Sequence, residues 1–304
     1  MPDFLVSFPG LNIVDLPVNR VAFHFRVFGQ DISIYWYGIL IAAAFLLGML
    51  LSMKQSPRYL INPDHISEMF MLIIPLALVG ARLYYVAFAW SEFAGNPAKI
   101  FDTRTGGLAF YGGVIGGVLA VLIWSKVRKI PLTRAADFLI VYVPLGQAIG
   151  RWGNFFNQEA FGTNTTLPWG MISNGTRAYL RQLNVPGLSP DLPVHPTFFY
   201  EFAANLIIFA VLLCARKRSK RPLTTVALYL ILYGAVRFFV EGIRTDALYL
   251  GGGSVRVSQW LSAAMVLAGI VMLVVMRKRQ RDTLESLLQR RDSDGDADPI
   301  DVIE

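Results

Sequence analysis

The sequence predicts an all-α polytopic membrane protein of seven transmembrane helices, with its N-terminus outside and its C-terminus in the cytoplasm. Three observations carry this. Of the 304 residues, 54% are hydrophobic and only 16% charged, against about 25% charged in soluble domains. Seven apolar runs approach the ~20 residues that a helix needs to cross a bilayer. Basic clusters follow every second run, the pattern of a chain that keeps its cationic loops in the cytoplasm.

In chain order, residues 1–32 form an extracytoplasmic arm. No basic stretch followed by an apolar core and a small-residue cleavage site opens the chain, so no removable signal peptide is expected. The seven spans are 33–53, 66–89, 107–125, 137–155, 197–215, 224–242 and 257–276, and the body 33–276 includes an outer loop over 156–196. "KQSPR", "KVRK", "RKRSKR" and "RKRQR" follow spans one, three, five and seven. Lys99, Arg104, Arg177, Arg181 and Arg256 are the sparser basic residues of the opposite side. The net charge of +7 is therefore spread over four loops and sets topology; it is not gathered into a nucleic-acid surface. The loop 156–196 is turn-rich ("LPWG", "VPGLSP", "LPVHP") and too long for a mere connector. Residues 277–304 are basic and then acidic, and low in aromatics, a composition expected to stay disordered.

The single cysteine, Cys214, ends an apolar run beside a basic cluster, which suits a membrane-edge residue. One cysteine closes no internal disulfide, and no metal-ligand spacing is present. His24 and His65 stand apart from any constellation.

Charged side chains inside spans cost on the order of 3 kcal/mol each on insertion scales, and those retained face a bundle interior. Span six, running outward, carries Tyr233, Arg237, Glu241 and Arg244 at i, i+4, i+8 and i+11, one helix face. Arg237 and Glu241 can pair. Span four ends outside with Arg151 and Asn154, three apart and so also on one face. Span five begins there with His195, Tyr200 and Glu201, span one with Tyr35 to Gly38, and span three with "GGLAFYGGVIGG". Span two has Arg82, Tyr84 and Tyr85 in its outer half. Polar residues thus converge on the outer leaflet. Terminal arginines such as Arg244 can snorkel, Trp36 and Trp152 suit interface anchors, and the glycines of span three suit close helix packing. Arg237 and Glu241 lie too deep for snorkelling. Guanidinium groups bind phosphate oxygens in pairs, so the residues point to an anionic phospholipid headgroup. They leave a binder, a flippase and a headgroup enzyme open.

"GRWGNFFNQEAFG", "GGLAFYGGVIGG", "HPTFFYE", "YGAVRFFVEGIR" and "YWYG" resemble, in order, the bacterial prolipoprotein diacylglyceryl transferase family over residues 30–276. The resemblance implies a seven-helix inner-membrane body with outer arms and a small head. It implies transfer of the diacylglyceryl group of phosphatidylglycerol to the lipobox cysteine of a preprolipoprotein, with glycerol phosphate released and no cofactor, metal or nucleic acid involved. Arg151 and Arg237 would hold the phosphodiester, Asn154 would orient it, and Glu241 would position Arg237. Glu159, Gly162 and Arg244 would order the cavity mouth, with Tyr37, His195, Tyr200 and Tyr233 lining it. The active site would face the extracytoplasmic side.

This chain departs from the family at Tyr111, where many members carry a histidine regarded as a candidate base. Tyrosine, with a pKa near ~10, is a poor base at neutral pH. A free thiol of pKa ~8.5 is already a few per cent thiolate, and neighbouring arginines raise that fraction. Electrostatic activation of the acceptor thiol is therefore expected, with Tyr111 packing or hydrogen-bonding at the site and His195 as the alternative base. A transporter or flippase would carry polar residues at mid-membrane and on both sides; here the cytoplasmic halves of most spans are apolar. A relative that binds phosphatidylglycerol without catalysis would share every residue named.

Overall fold

Six of the apolar runs become uninterrupted helices in the computed structural model, which describes residues 4–102, 106–184, 187–219, 221–246 and 256–277. They are α1 (Trp36–Gln55), α2 (Pro63–Phe88), α3 (Phe110–Val127), α7 (Thr197–Arg218), α8 (Thr224–Ile243) and α9 (Val257–Met276). All six are long and apolar enough to cross a membrane. Only 11–28% of each apolar window is buried, so large aliphatic side chains such as Leu50, Ile74, Ile207 and Leu267 stay on the outside. That inversion of the soluble pattern suits a protein whose solvent is lipid.

The run predicted as a span over 137–155 is helical in pieces. α4 (Leu132–Leu139) gives way to a 3-10 turn at Ile140–Tyr142, and α5 (Val143–Asn157) follows. Pro144 sits in the first turn of α5. It has no N–H to donate and its ring crowds the carbonyl four residues back, which favours the break in α-helical bonding seen at 140–142. The chain divides at the same place into two compact units: residues up to Gly48 with Ile140–Gln280, and Met49–Leu139.

In the second unit, α2 and α3 pack closely. A Cβ on Gly112 would overlap the carbonyl oxygen of Gly80, and one on Gly116 that of Leu76. The glycines of "GGLAFYGGVIGG" thus let two backbones touch, as their spacing suggested. Arg82, in the last third of α2, bonds to backbone. Its side chain is buried, lies over the Phe93 ring, and donates to the carbonyls of Lys99, Ile100, Asp102, Gly106 and Gly107 at 2.6–3.0 Å. It organises the connection between α2 and α3.

The first unit contains all the strands among the described residues, a departure from an all-helical reading. β1 (Leu5–Phe8), β2 (Ile13–Pro17) and β5 (Ile172–Ser173) form an antiparallel sheet in the order β2-β1-β5. β3 (Val21–Val27) and β4 (Gln30–Tyr35) form a hairpin, and α1 starts at the next residue. "VAFHFRV" and "QDISIY" alternate apolar and polar side chains with the period of a strand, a local pattern outweighed in the reading of spans by the long apolar runs.

The segment between α5 and α7 has a core of its own. Phe161, Met171, Leu180 and Val194 pack with Val6 of β1, with Val18 just after β2, and with Phe155 and Phe198 near the end of α5 and the start of α7. Within it, α6 (Asn174–Leu183) is started by a capping box in which the Ser173 and Thr176 side chains answer each other's backbone N–H. Among the basic clusters, Arg216 is buried over the Tyr142 ring rather than facing lipid. Cys214 is exposed on α7. Residues 278–304, including the tail expected to be disordered, lie outside the described residues, as does Arg104.

Candidate active site

Three helices of the first unit bring charge together. α5 supplies Arg151 and Asn154 from its last two turns, α7 supplies Tyr200 and Glu201 near its start, and α8 supplies Tyr233 at its middle with Arg237 and Glu241 beyond it. Glu201, whose side chain is 1% exposed, is the centre. Its Oε1 accepts from Nη2 of Arg151 at 2.7 Å and from Nη1 of Arg237 at 3.1 Å. Nη2 of Arg237 donates to Oε2 of Glu241 at 2.6 Å, the i, i+4 pair that the sequence spacing predicts. These four charges are buried or nearly so and sum to zero. Neutrality is what makes the cluster tolerable in an apolar bundle, where an unpaired ion would cost several kcal/mol.

Each guanidinium carries five N–H donors in a planar fork. Arg151 gives one to Oδ1 of Asn154 at 3.4 Å as well as one to Glu201, and the Tyr233 hydroxyl lies within its reach. Donors remain on both arginines. A second anion can therefore be held without breaking the pairs already present.

The rim is built next to this. Nδ2 of Asn154 donates to Oε1 of Glu159 at 3.0 Å, and Nδ2 of Asn157 does the same at 3.2 Å. Glu159 is thus tied to the helix that presents Arg151. The Tyr37 ring fills the space where Gly153 would carry a Cβ. Tyr233 is stacked on Tyr229, whose hydroxyl accepts from Gln147. Gly162 pairs with Arg244 across an isolated bridge. A Cβ there would come within 2.8 Å of His195 Cβ and 3.0 Å of the Ile243 carbonyl, so this glycine serves the close approach of three segments.

Arg244 grips Asp246 with Nε at 2.8 Å and Nη2 at 2.5 Å. Arg256 donates to the carbonyls of Glu241 and Arg244, closing the end of α8. Burial alone would push the Asp246 carboxyl up, but the two bonds and the charge of Arg244 outweigh it and hold the group below the usual carboxylate range. A carboxylate of lowered folded pKa stabilises the fold above its unfolded pKa, near ~3.9. That contribution is lost as the pH falls through the lower folded value. We expect the thermal midpoint of the solubilised protein to drop in that acid window, and Asp246→Asn to remove part of the drop. An unchanged acid limb in the variant would refute the assignment.

His195 stands just before α7. Its Nδ1 is 3.1 Å from the Tyr200 hydroxyl, which also accepts from Trp169 Nε1 at 2.9 Å. Partial burial pushes the imidazole below its ordinary pKa, which favours its neutral form. A cavity of about 530 Å³ opens beside it, lined by Gly10, the segment Asn164–Pro168, Leu192 and Pro193. Tyr111 belongs to the other unit, where it is exposed and packs against Tyr84 and Phe110. The structure thus gathers Arg151, Asn154, Glu159, Tyr233, Arg237 and Glu241 directly, with Tyr37, Gly162, His195, Tyr200 and Arg244 on adjoining elements. It adds Glu201, which the sequence reading noticed and gave no role. The signal available was a lone carboxylate one turn inside an apolar helix, with no partner at helical spacing. No group of three metal-ligating side chains gathers among the described residues.

Comparison with known proteins comes to the same ground. The family described as prolipoprotein diacylglyceryl transferase matches residues 21–275. A Clostridioides difficile protein is 42% identical over 267 residues, covering 88% of this chain and 99% of its own. One from Finegoldia magna is 40% identical over 263 residues, 86% of this chain and 97% of its own. One from Enterococcus faecalis is 40% identical over 269 residues, 86% and 91%. All three are named phosphatidylglycerol–prolipoprotein diacylglyceryl transferase.

Proposed function

The chain belongs to the prolipoprotein diacylglyceryl transferase family, and from that premise we propose an account of its chemistry. It is a transferase of lipoprotein maturation: it moves the diacylglyceryl group of phosphatidylglycerol onto the lipobox cysteine of a preprolipoprotein. The thiolate sulfur attacks the glycerol carbon that bears the phosphate. A C–S bond forms, the C–O bond breaks, and glycerol phosphate leaves with the electron pair; the thiol proton passes to solvent.

Negative charge grows on the departing phosphate. Arg151 and Arg237 hold that phosphate and stabilise the charge, a task for donors fixed in advance. The observation that carries this is the pair of guanidinium groups brought onto one buried carboxylate oxygen with donors left over. Asn154 orients the headgroup, Glu241 steadies Arg237, and Glu159, Gly162 and Arg244 order the mouth. Tyr37, His195, Tyr200 and Tyr233 line it. The same positive field favours the acceptor's thiolate, so electrostatic activation replaces a dedicated base. Tyr111 contributes packing or a hydrogen bond.

The chain crosses the bacterial inner membrane seven times, with its N-terminus and active site on the extracytoplasmic side. Basic residues end α1 (Lys54), α3 (Lys126) and α7 (Arg216, Lys217, Arg218). They can share the cytoplasmic side only if the chain crosses between α3 and α7. Residues 132–157 are the helical, apolar segment available for it.

The test is direct. Purified protein mixed with phosphatidylglycerol and a lipobox peptide yields thioether-linked peptide and glycerol phosphate in equal amounts. Lipid binding with neither product would favour a non-catalytic binder, and movement of lipid between leaflets without product would favour a flippase.

A further inference from the structure

Glu201 is the most thoroughly buried charged side chain of the cluster, and the account above gives it no task. Both arginines meet the same oxygen, Oε1, while Oε2 has no hydrogen-bond partner among the described residues. A carboxylate that merely neutralised two arginines would share them between its two oxygens. Here one atom receives both forks, so Nη2 of Arg151 and Nη1 of Arg237 lie within about 6 Å of one another. Glu201 is itself fixed by the helix. Asn205, one turn on and fully buried, donates to the Glu201 carbonyl at 2.7 Å.

We propose that Glu201 is the positioning residue of the transfer reaction: by holding Arg151 and Arg237 on one oxygen it sets the gap into which the phosphodiester fits. It touches neither lipid nor peptide. The proposal rests on the reading of the two arginines as phosphate anchors. Arg237 is fixed at its other terminal nitrogen by Glu241, and Arg151 at Nη1 by Asn154. Among the described residues, Glu201 is the side chain that accepts from both, across α5, α7 and α8. Without its charge the guanidinium groups repel, and their spacing relaxes.

The consequence separates binding from chemistry. Glu201→Gln leaves the arginine pair with one more net positive charge, so attraction for an anionic lipid persists. What is lost is alignment with the leaving group as its charge develops, and a misplacement of about 1 Å can cost on the order of 10²-fold in rate. In the phosphatidylglycerol and lipobox-peptide assay, Glu201→Gln is expected to lower kcat by about 10²-fold while KM for the lipid stays level or falls. A packing role would instead show as a lowered folded yield with the turnover per folded molecule kept. A kcat within about threefold of the starting protein, or a raised KM with kcat kept, overturns the proposal. Should Glu201→Gln fail to fold, Glu201→Asp decides. It keeps the charge and draws the carboxylate back by one methylene, so kcat should fall by at least about tenfold with KM kept; full turnover overturns the proposal. Arg237→Ala, assayed alongside, separates the two levels. If it turns over, the anchor reading itself is wrong; if it is silent while Glu201→Gln is active, only the positioning role falls.

Discussion

Arg237→Ala yields a protein that inserts and folds but transfers no diacylglyceryl group above background. The side chain is tied to Glu201 at 3.1 Å and to Glu241 at 2.6 Å, and is 17% exposed, so it retains a face toward an incoming anion. Removing one preorganised donor from a developing charge costs about 10²–10³ in rate, or ~2.7–4 kcal/mol. Arg237 presents several donors and a full charge, so the loss should reach the upper end of that range or beyond. Stability suffers less, because Glu201 keeps its bond to Arg151. Arg237→Lys should recover little, because an ammonium cannot reproduce a two-pronged fork. The measurement is turnover of phosphatidylglycerol with a lipobox peptide, normalised to folded protein by gel filtration. Turnover within tenfold of the starting protein would sink the role given to Arg237.

Arg82→Met has the largest expected effect on stability. All five of its N–H groups meet backbone carbonyls, and hydrogen bonds to a charged donor are worth about 1.5–3 kcal/mol each. Methionine fills part of the volume and supplies no donor, so five carbonyls lose their partner at once. A loss beyond ~4 kcal/mol falls among the exceptional single substitutions. The damage should be local first. The connection between α2 and α3 becomes sensitive to protease under native conditions, and the thermal midpoint falls. Arg82→Lys, with three donors on a point charge, should behave nearly as badly. Protease resistance equal to the starting protein's in both variants would show that the connection is held by something else.

These two arginines mark what could be read from the sequence. Arg237 was legible because its partner is four residues away, on the same face of the same helix. Arg82 reads as another polar residue of the outer half, with nothing in the sequence to name its partners. Its partners are carbonyls 17 to 25 residues downstream, and a carbonyl leaves no mark in residue identity. Glu201 escaped for a related reason: its partners lie 50 and 36 residues away on other helices. The long apolar runs gave helices whose ends fall within a few residues of the expected spans, since lipid burial needs length and composition alone. The run through 140–144 failed as a single helix because hydropathy averages over Pro144. The two strand pairs before α1 were lost because segments of four to seven residues leave a weaker trace than a twenty-residue run.

The placement of charge on α5, α7 and α8 also dictates an order of assembly. A ribosome delivers Arg151 on α5 fifty residues before Glu201 on α7, so α5 is made before the carboxylate that its arginine meets in the fold. α7 then arrives with a lone carboxylate of opposite sign. Neither helix is comfortable in lipid by itself, and together they are neutral. α8 differs, because Arg237 and Glu241 compensate one another within a single helix, and it can enter as a self-contained element. By order of synthesis, α5 and α7 are the first two of the three whose charges can compensate one another. The pair of arginines on Glu201 is completed only when α8, the independent member, docks against them.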